Sequence, residues 1–346
     1  MRRHAASLGV SGGALDLYLE SEIIDLHIDS FIWHRVFGYD LLKRHDRGLL
    51  GGLCYSQVDV PRALEAGISG ATWVITTNPF KDARAREETF HENLAELRGI
   101  LESVETIQIC RTTSDYWAAR AAGKHGATLG IQGGNALDRS LDSVSRVLPQ
   151  LILRITLVHL SSSSIGATSS PGRLGTDTGL SAFGKQYVER LNDERIFVDL
   201  AHISKRGFWD AVDVHHKEQP LLVSHTCVSG VHDHWRNLDD EQLRAVADTG
   251  GVVGIMVHSE FLGDPLFGGK AESVVRHMEH AMRVAGPDHV AFGSDFDGAI
   301  CPPRDLRTCL ELPLLVEIML ARGWPPDHVK KVMGENFLRA WRDLRG

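Results

Sequence analysis

The chain has 346 residues, 43% of them hydrophobic and 24% charged, and carries a formal net charge of −8. That balance belongs to a globular protein with a sizeable core, and the negative charge excludes a general binder of nucleic acid or anionic membranes, which needs basic patches. Five widely spaced cysteines with no CxxC pattern exclude a disulfide framework or a thiolate zinc site, and free thiols in a reducing compartment are expected.

In chain order, residues 1–20 are expected as a loosely attached N-terminal arm. Asp16 and Glu20 interrupt any apolar signal-peptide core, and no apolar run approaches the roughly 20 residues needed to span a bilayer. A cytoplasmic protein is therefore expected. Eight β-rich runs follow: IIDLHID (23–29), ATWVIT (71–76), TLGIQ (128–132), LILRITLVH (151–159), IFVDLAH (196–202), PLLVSH (220–225), GGVVGIMV (250–257) and HVAFGSDF (289–296). They are continuously apolar rather than alternating, as parallel strands buried on both faces require. Amphipathic segments lie between them, at 87–104, 182–194, 239–250, 271–286 and 305–323, each with apolar residues three and four apart. Strands alternating with helices in this number predict an α/β fold of the (β/α)8 TIM-barrel type, with residues 21–346 as a single domain.

In such a barrel the functional site lies at the C-terminal ends of the strands. Those ends here carry His27, Asp29, Gln132, His159, His202, His225 and Asp295. Taken singly, each strand-end histidine reads more readily as a hydrogen-bonded core residue. Their convergence on one mouth instead suits zinc or a similar divalent ion held by imidazole and carboxylate. Arg236 in VHDHWRNLDD offers a guanidinium for a substrate carboxylate, the alternative being a surface ion pair with Asp239 or Asp240. His232 and His234 read as structural, and the pair His215–His216 as solvated surface. The polar stretch SSSSIGATSSPG (161–172) reads either as a lid or as disorder. GIQGG lacks the lysine and glycine spacing of a phosphate loop.

These motifs resemble the renal-type (membrane) dipeptidases, the M19 metallopeptidases of the amidohydrolase superfamily, over roughly residues 22 to 342. The resemblance is carried by DLHIDSFIW, VDVPRALEAGISGATWVI, LSAFGKQYVERLNDERIFVDLAHIS, PLLVSHTCVSG, RNLDDEQLRAVADTGGVVG, HVAFGSDFDG and MGENFLRAW. It implies the same barrel, a first zinc on His27 and Asp29, and a second on His202 and His225. It further implies that His159 steadies the oxyanion, that Arg236 holds the substrate's terminal carboxylate, and that Asp295 exchanges protons with water and the leaving amine. A small dipeptide or amino-acid derivative as substrate and a homodimer are the corresponding expectations, with no nucleic-acid or membrane partner.

Two positions depart from the family pattern. Gln132 stands where the third strand of the family ends in a glutamate bridging both ions. An amide oxygen ligates but brings no charge to offset the repulsion of two dications, so one metal position is expected to be weakened. His258 stands near a usual aromatic position and is expected to touch substrate. Other readings remain beside the dipeptidase one: a mononuclear amidohydrolase of deaminase or lactonase type, or a degenerate barrel that binds without turnover.

Overall fold

The computed structural model describes residues 2–48, 50–146, 151–170 and 178–346. Among the described residues nine strands form one parallel sheet: β1 Ile24–Ile28, β2 Gly70–Thr76, β3 Ile107–Ile109, β4 His125–Gln132, β5 Ile152–Thr156, β6 Phe197–Asp199, β7 Leu222–Thr226, β8 Val252–Ile255 and β9 Val290–Phe292. Eight of them run in the order β1-β2-β4-β5-β6-β7-β8-β9. The last meets the first through the parallel bridge Ile28↔Phe296, supported by Asp29 N–H donating to Phe296 O at 2.9 Å and Asp295 N–H to His27 O at 3.2 Å. The result is the nearly closed eight-stranded barrel expected from the sequence.

The ninth strand was not foreseen. β3 is three residues long, pairs only with β4 and lies off the barrel path. Gln132 therefore ends the fourth strand in chain order and the third of the barrel wall. The helix expected over 305–323 is also interrupted: a 3-10 turn at Cys309–Glu311, capped by Thr308, precedes the helix Pro313–Ala321, because proline lacks the N–H that a continuous helix would use.

The N-terminal end of the barrel is closed by apolar packing. Ile24, Leu153, Phe197, Leu222, Val252 and Ala291, each first or second in its strand, cluster with Phe337, Trp341 and Leu344 of the helix Asn336–Arg345. Residues 12–20, expected as part of a loose arm, form a helix packed against the helix Pro313–Ala321. Ser11 Oγ donates to Glu317 Oε2 at 2.6 Å, and the fully buried Tyr18 donates its hydroxyl to Ala66 O at 2.8 Å. The segment is docked because its apolar stripe is covered. All five cysteines are free. Among the described residues no helix is long and apolar enough to cross a membrane.

Candidate metal centre

The C-terminal ends of the strands bring all the expected groups to one end of the barrel. His27 lies within β1, Gln132 ends β4 and His225 lies in β7, whereas His159, His202, His258 and Asp295 each sit three residues beyond a strand end. His202 (φ 64°) and Asp295 (φ 62°) occupy the left-handed region, which costs a non-glycine residue energy that the surrounding contacts must supply.

His27 Nε2 is 3.5 Å from Asp29 Oδ2 and 3.6 Å from Asp295 Oδ1. His27, His225 and Asp295 offer ligand atoms all within 4.8 Å of one another. The ε-nitrogens of His202 and His225 are 2.8 Å apart. Two ligands on one tetrahedral zinc stand about 3.3–3.6 Å apart, given bonds of about 2.0–2.2 Å. The carboxylate–imidazole spacings match that, and the histidine pair needs only a small opening. His27 Nε2 and Gln132 Oε1 are buried and have no hydrogen-bond partner. By residue type and spacing, the donor set suits a divalent ion.

The electrostatics separate the groups. Burial, then the neighbouring Asp29 charge, pushes the Asp295 carboxyl well above its usual range. Burial also raises Asp29, but the His27 ring, the Thr76 hydroxyl and His159 outweigh it and hold Asp29 below its ordinary value. Burial holds His202 and His225 well below the ordinary histidine value, and brings His159 and His258 down to about 4. All four rings are thus pushed toward the neutral form, which a metal ligand requires.

Above the cluster opens a cavity of about 410 Å³ lined by Asp29, Gln132, His159, His202, His258 and Asp295. Its outer wall is apolar: Trp33, Val36, Phe37, Leu160, Phe261 and Ile300. His258 belongs to this wall, accepting Cys301 N–H at Nδ1 (3.0 Å) and packing edge-on against Phe261. Arg236 lines an adjoining cavity of about 320 Å³ that shares His202.

Several expectations change at this level. Arg236 makes no surface ion pair; it is buried, donates from Nη2 to His225 O at 2.8 Å, and its Nε has no partner. Asp239 instead pairs with Lys205 and caps the helix Asp240–Asp248. His215 is buried, its Nε2 2.8 Å from Gln219 O, and is not solvated surface. The 161–172 stretch is tied down at Gly166↔Leu180 and Thr168↔Ile203, and its last two residues lie outside the described chain.

Sequence reasoning missed the groups behind the candidate ligands. Arg154 in β5 is 1% exposed and donates to Asp199 Oδ2 (2.8 Å), Thr156 Oγ1 (2.9 Å), Leu26 O (3.2 Å) and His27 Nδ1 (2.7 Å). The signals were an arginine inside the apolar run LILRITLVH and an aspartate inside IFVDLAH; a buried charge demands a partner.

With the geometry in place, the relatives follow. Residues 13–345 match the family described as membrane dipeptidase (peptidase family M19). Among curated proteins, the uncharacterized protein in pqqA 5'region of Klebsiella pneumoniae is 35% identical over 182 residues, covering 51% of this chain and 65% of that relative's length. The solved structure of dipeptidase AC, a metallo peptidase of family M19, superposes with a TM-score of 0.82 at 24% identity, over 93% of this chain and 99% of that one. A metallo peptidase from Rhodobacter sphaeroides, liganded with a phosphinate mimic of the dipeptide L-Ala-D-Ala, gives the same TM-score of 0.82 and the same coverage of 93% and 99%, at 23% identity.

Proposed function

The chain belongs to the membrane dipeptidase family, peptidase family M19, and from that premise we propose that it is a metal-dependent hydrolase cleaving the amide bond of a small dipeptide-like substrate with a free carboxylate. The observation that carries the reading is the convergence of buried imidazoles and carboxylates at the barrel mouth, with the ε-nitrogens of His202 and His225 2.8 Å apart and Asp295 beside them, next to a substrate-sized cavity lined by Asp29, His202 and Asp295. Zinc is the ion that an imidazole–carboxylate set of this kind favours, and the candidate donors divide between a His27–Asp29–Gln132 side and a His202–His225 side. When bound, it supplies carbonyl polarisation and a water acidified to near neutral pH.

The chain's own residues divide the remaining work. Asp295, with its raised carboxyl, is the group to take a proton from the attacking water and return it to the leaving amine. Neutral His159 faces the same cavity and is the donor for charge developing on the carbonyl oxygen. Arg236, with its unpartnered Nε, is the clamp for the terminal carboxylate. The apolar wall, with His258 in it, receives the uncharged part of the substrate and excludes water.

The amide of Gln132 donates to Asp29 Oδ2 at 2.9 Å, which favours one weakened metal position and keeps the mononuclear amidohydrolase reading as the second one. The test is a dipeptide panel, including L-D substrates, assayed with added zinc and after chelation. Zinc-dependent hydrolysis of free-carboxylate dipeptides is expected. No turnover at any zinc concentration, with ligand still bound, would establish a binding barrel instead.

A further inference from the structure

The two sides of the centre differ in the polarity of the groups behind their histidines. Asp199 Oδ2 accepts the Ser224 hydroxyl at 2.6 Å. The single Ser224 proton is thereby committed, so its oxygen, 2.8 Å from His225 Nδ1, receives the ring N–H. His225 Nε2 is left with a free lone pair. A carboxylate-backed imidazole of this kind is the common outer arrangement of a metal-bound histidine.

Behind His27 the polarity is inverted. A guanidinium has donors only, and Arg154 Nη2 stands 2.7 Å from His27 Nδ1. Nδ1 must accept, which places the ring proton on Nε2, toward Asp29 and Asp295. Asp29 is already supplied with donors: Thr76 Oγ1 at 2.6 Å on Oδ1 and Gln132 Nε2 at 2.9 Å on Oδ2. The two buried atoms without partners here, His27 Nε2 and Gln132 Oε1, are then one donor and one acceptor. A hydrogen-bonding group completes such a pair, and a cation completes only its acceptor. Ligand spacing admits an ion on either side; polarity distinguishes them. A permanently charged arginine on one face of His27 and a neutral amide in place of a carboxylate both oppose a further positive charge.

We propose that Arg154 is the resident cation of the His27–Asp29 side, a positioning residue that acts through His27, and that the centre takes a single divalent ion on the His202–His225 side. This inference rests on the metal-dependent reading above and deepens it.

The full chain, stripped with a chelator and reloaded with Zn²⁺, is dialysed and its metal content measured by mass spectrometry, with affinity from calorimetry. One equivalent is expected. His27→Asn, checked for fold by circular dichroism, keeps that ion within about threefold in Kd, whereas His225→Asn weakens it by about 100-fold or more. If His225→Asn does not fold, Co²⁺ titration of the unaltered protein replaces it, with visible absorption saturating at one equivalent. Gln132→Glu combined with Arg154→Gln, which keeps an amide donor but removes the charge, gains a second equivalent that Gln132→Glu alone binds at least about tenfold more weakly. Two equivalents in the unaltered protein, His27→Asn losing the ion as fully as His225→Asn, or a folded double variant without a second ion would each overturn the inference. Two ions with dipeptide turnover would overturn it alone. No ion at all would overturn the metal-hydrolase reading with it.

Discussion

Arg236 spends one donor on the His225 carbonyl and keeps a buried Nε free, an arrangement costly to maintain unless an anion completes it. Arg236→Met is expected to raise KM for free-carboxylate dipeptides by about 10–100-fold, the range of a charge-assisted hydrogen bond, while amidated substrates change little. Steady-state kinetics on paired substrates would check this. Asp295→Asn keeps the shape but cannot take up a proton, so kcat/KM is expected to fall by about 10²–10⁴-fold, which steady-state kinetics at saturating zinc would measure. At this scale the candidate ligands were legible because chemistry-bearing residues stood at strand ends in apolar surroundings. The left-handed backbone of His202 and Asp295 was not, since neither residue type announces it. Nor was the inverted partner of His27: which strand faces which across the barrel is a property of the closed fold, and Arg154 meets His27 across 127 residues of sequence.

The strand carrying His225 is approached closely by two glycines, one in β8 and one directly after β9. A Cβ on Gly254 would lie 2.1 Å from Ser224 O, and one on Gly293 would lie 1.9 Å from the same atom. Gly254→Ala must push β7 aside, and a loss of about 1–3 kcal/mol is expected from overpacking, with weaker zinc binding because His225 moves too. Urea midpoints and calorimetry would measure both. On the helix Ala271–Ala285, His277 accepts Val228 N–H at Nδ1 (3.0 Å), with Nε2 3.2 Å from Leu262 O. Burial pushes this histidine from 6.5 down to about 4. The unfolded chain therefore binds the extra proton first, so the stability His277 contributes is present above about pH 6.5 and is lost as pH falls toward 4. His277→Gln is expected to flatten the decline of the urea midpoint between pH 7 and 5. The eight wall strands were readable from continuous apolar runs. β3 was not, because three residues carry too little pattern, and His215 looked exposed because a helix end followed by HHKE reads as surface until Gln219 folds back on it.

Across the whole molecule, the mouth holds the polar groups and the opposite end holds the packing. Trp341, 1% exposed, packs tilted against Phe337 and edge-on against Tyr116 beneath the barrel. Trp341→Ala is expected to cost about 3–5 kcal/mol, lowering the melting temperature without changing KM, since nothing in the mouth touches it. The barrel class was legible from the count and spacing of strands, whereas the docking of residues 12–20 was not, because an amphipathic segment does not name the surface that covers it. The seam between β1 and β9 has a consequence for how the molecule comes into being. Ser294 N–H reaches Asp25 across 269 residues, so the wall closes by joining the earliest strand to the latest. Contacts of such long sequence separation form slowly and late, and a chain emerging from the ribosome has His27 long before it has Asp295. The cluster at the mouth is thus assembled last, after the rest of the wall has a shape to close upon. A partly synthesised chain that lacks the last strand holds half of the mouth's polar groups without the other half, a dependence written into topology rather than into any one side chain.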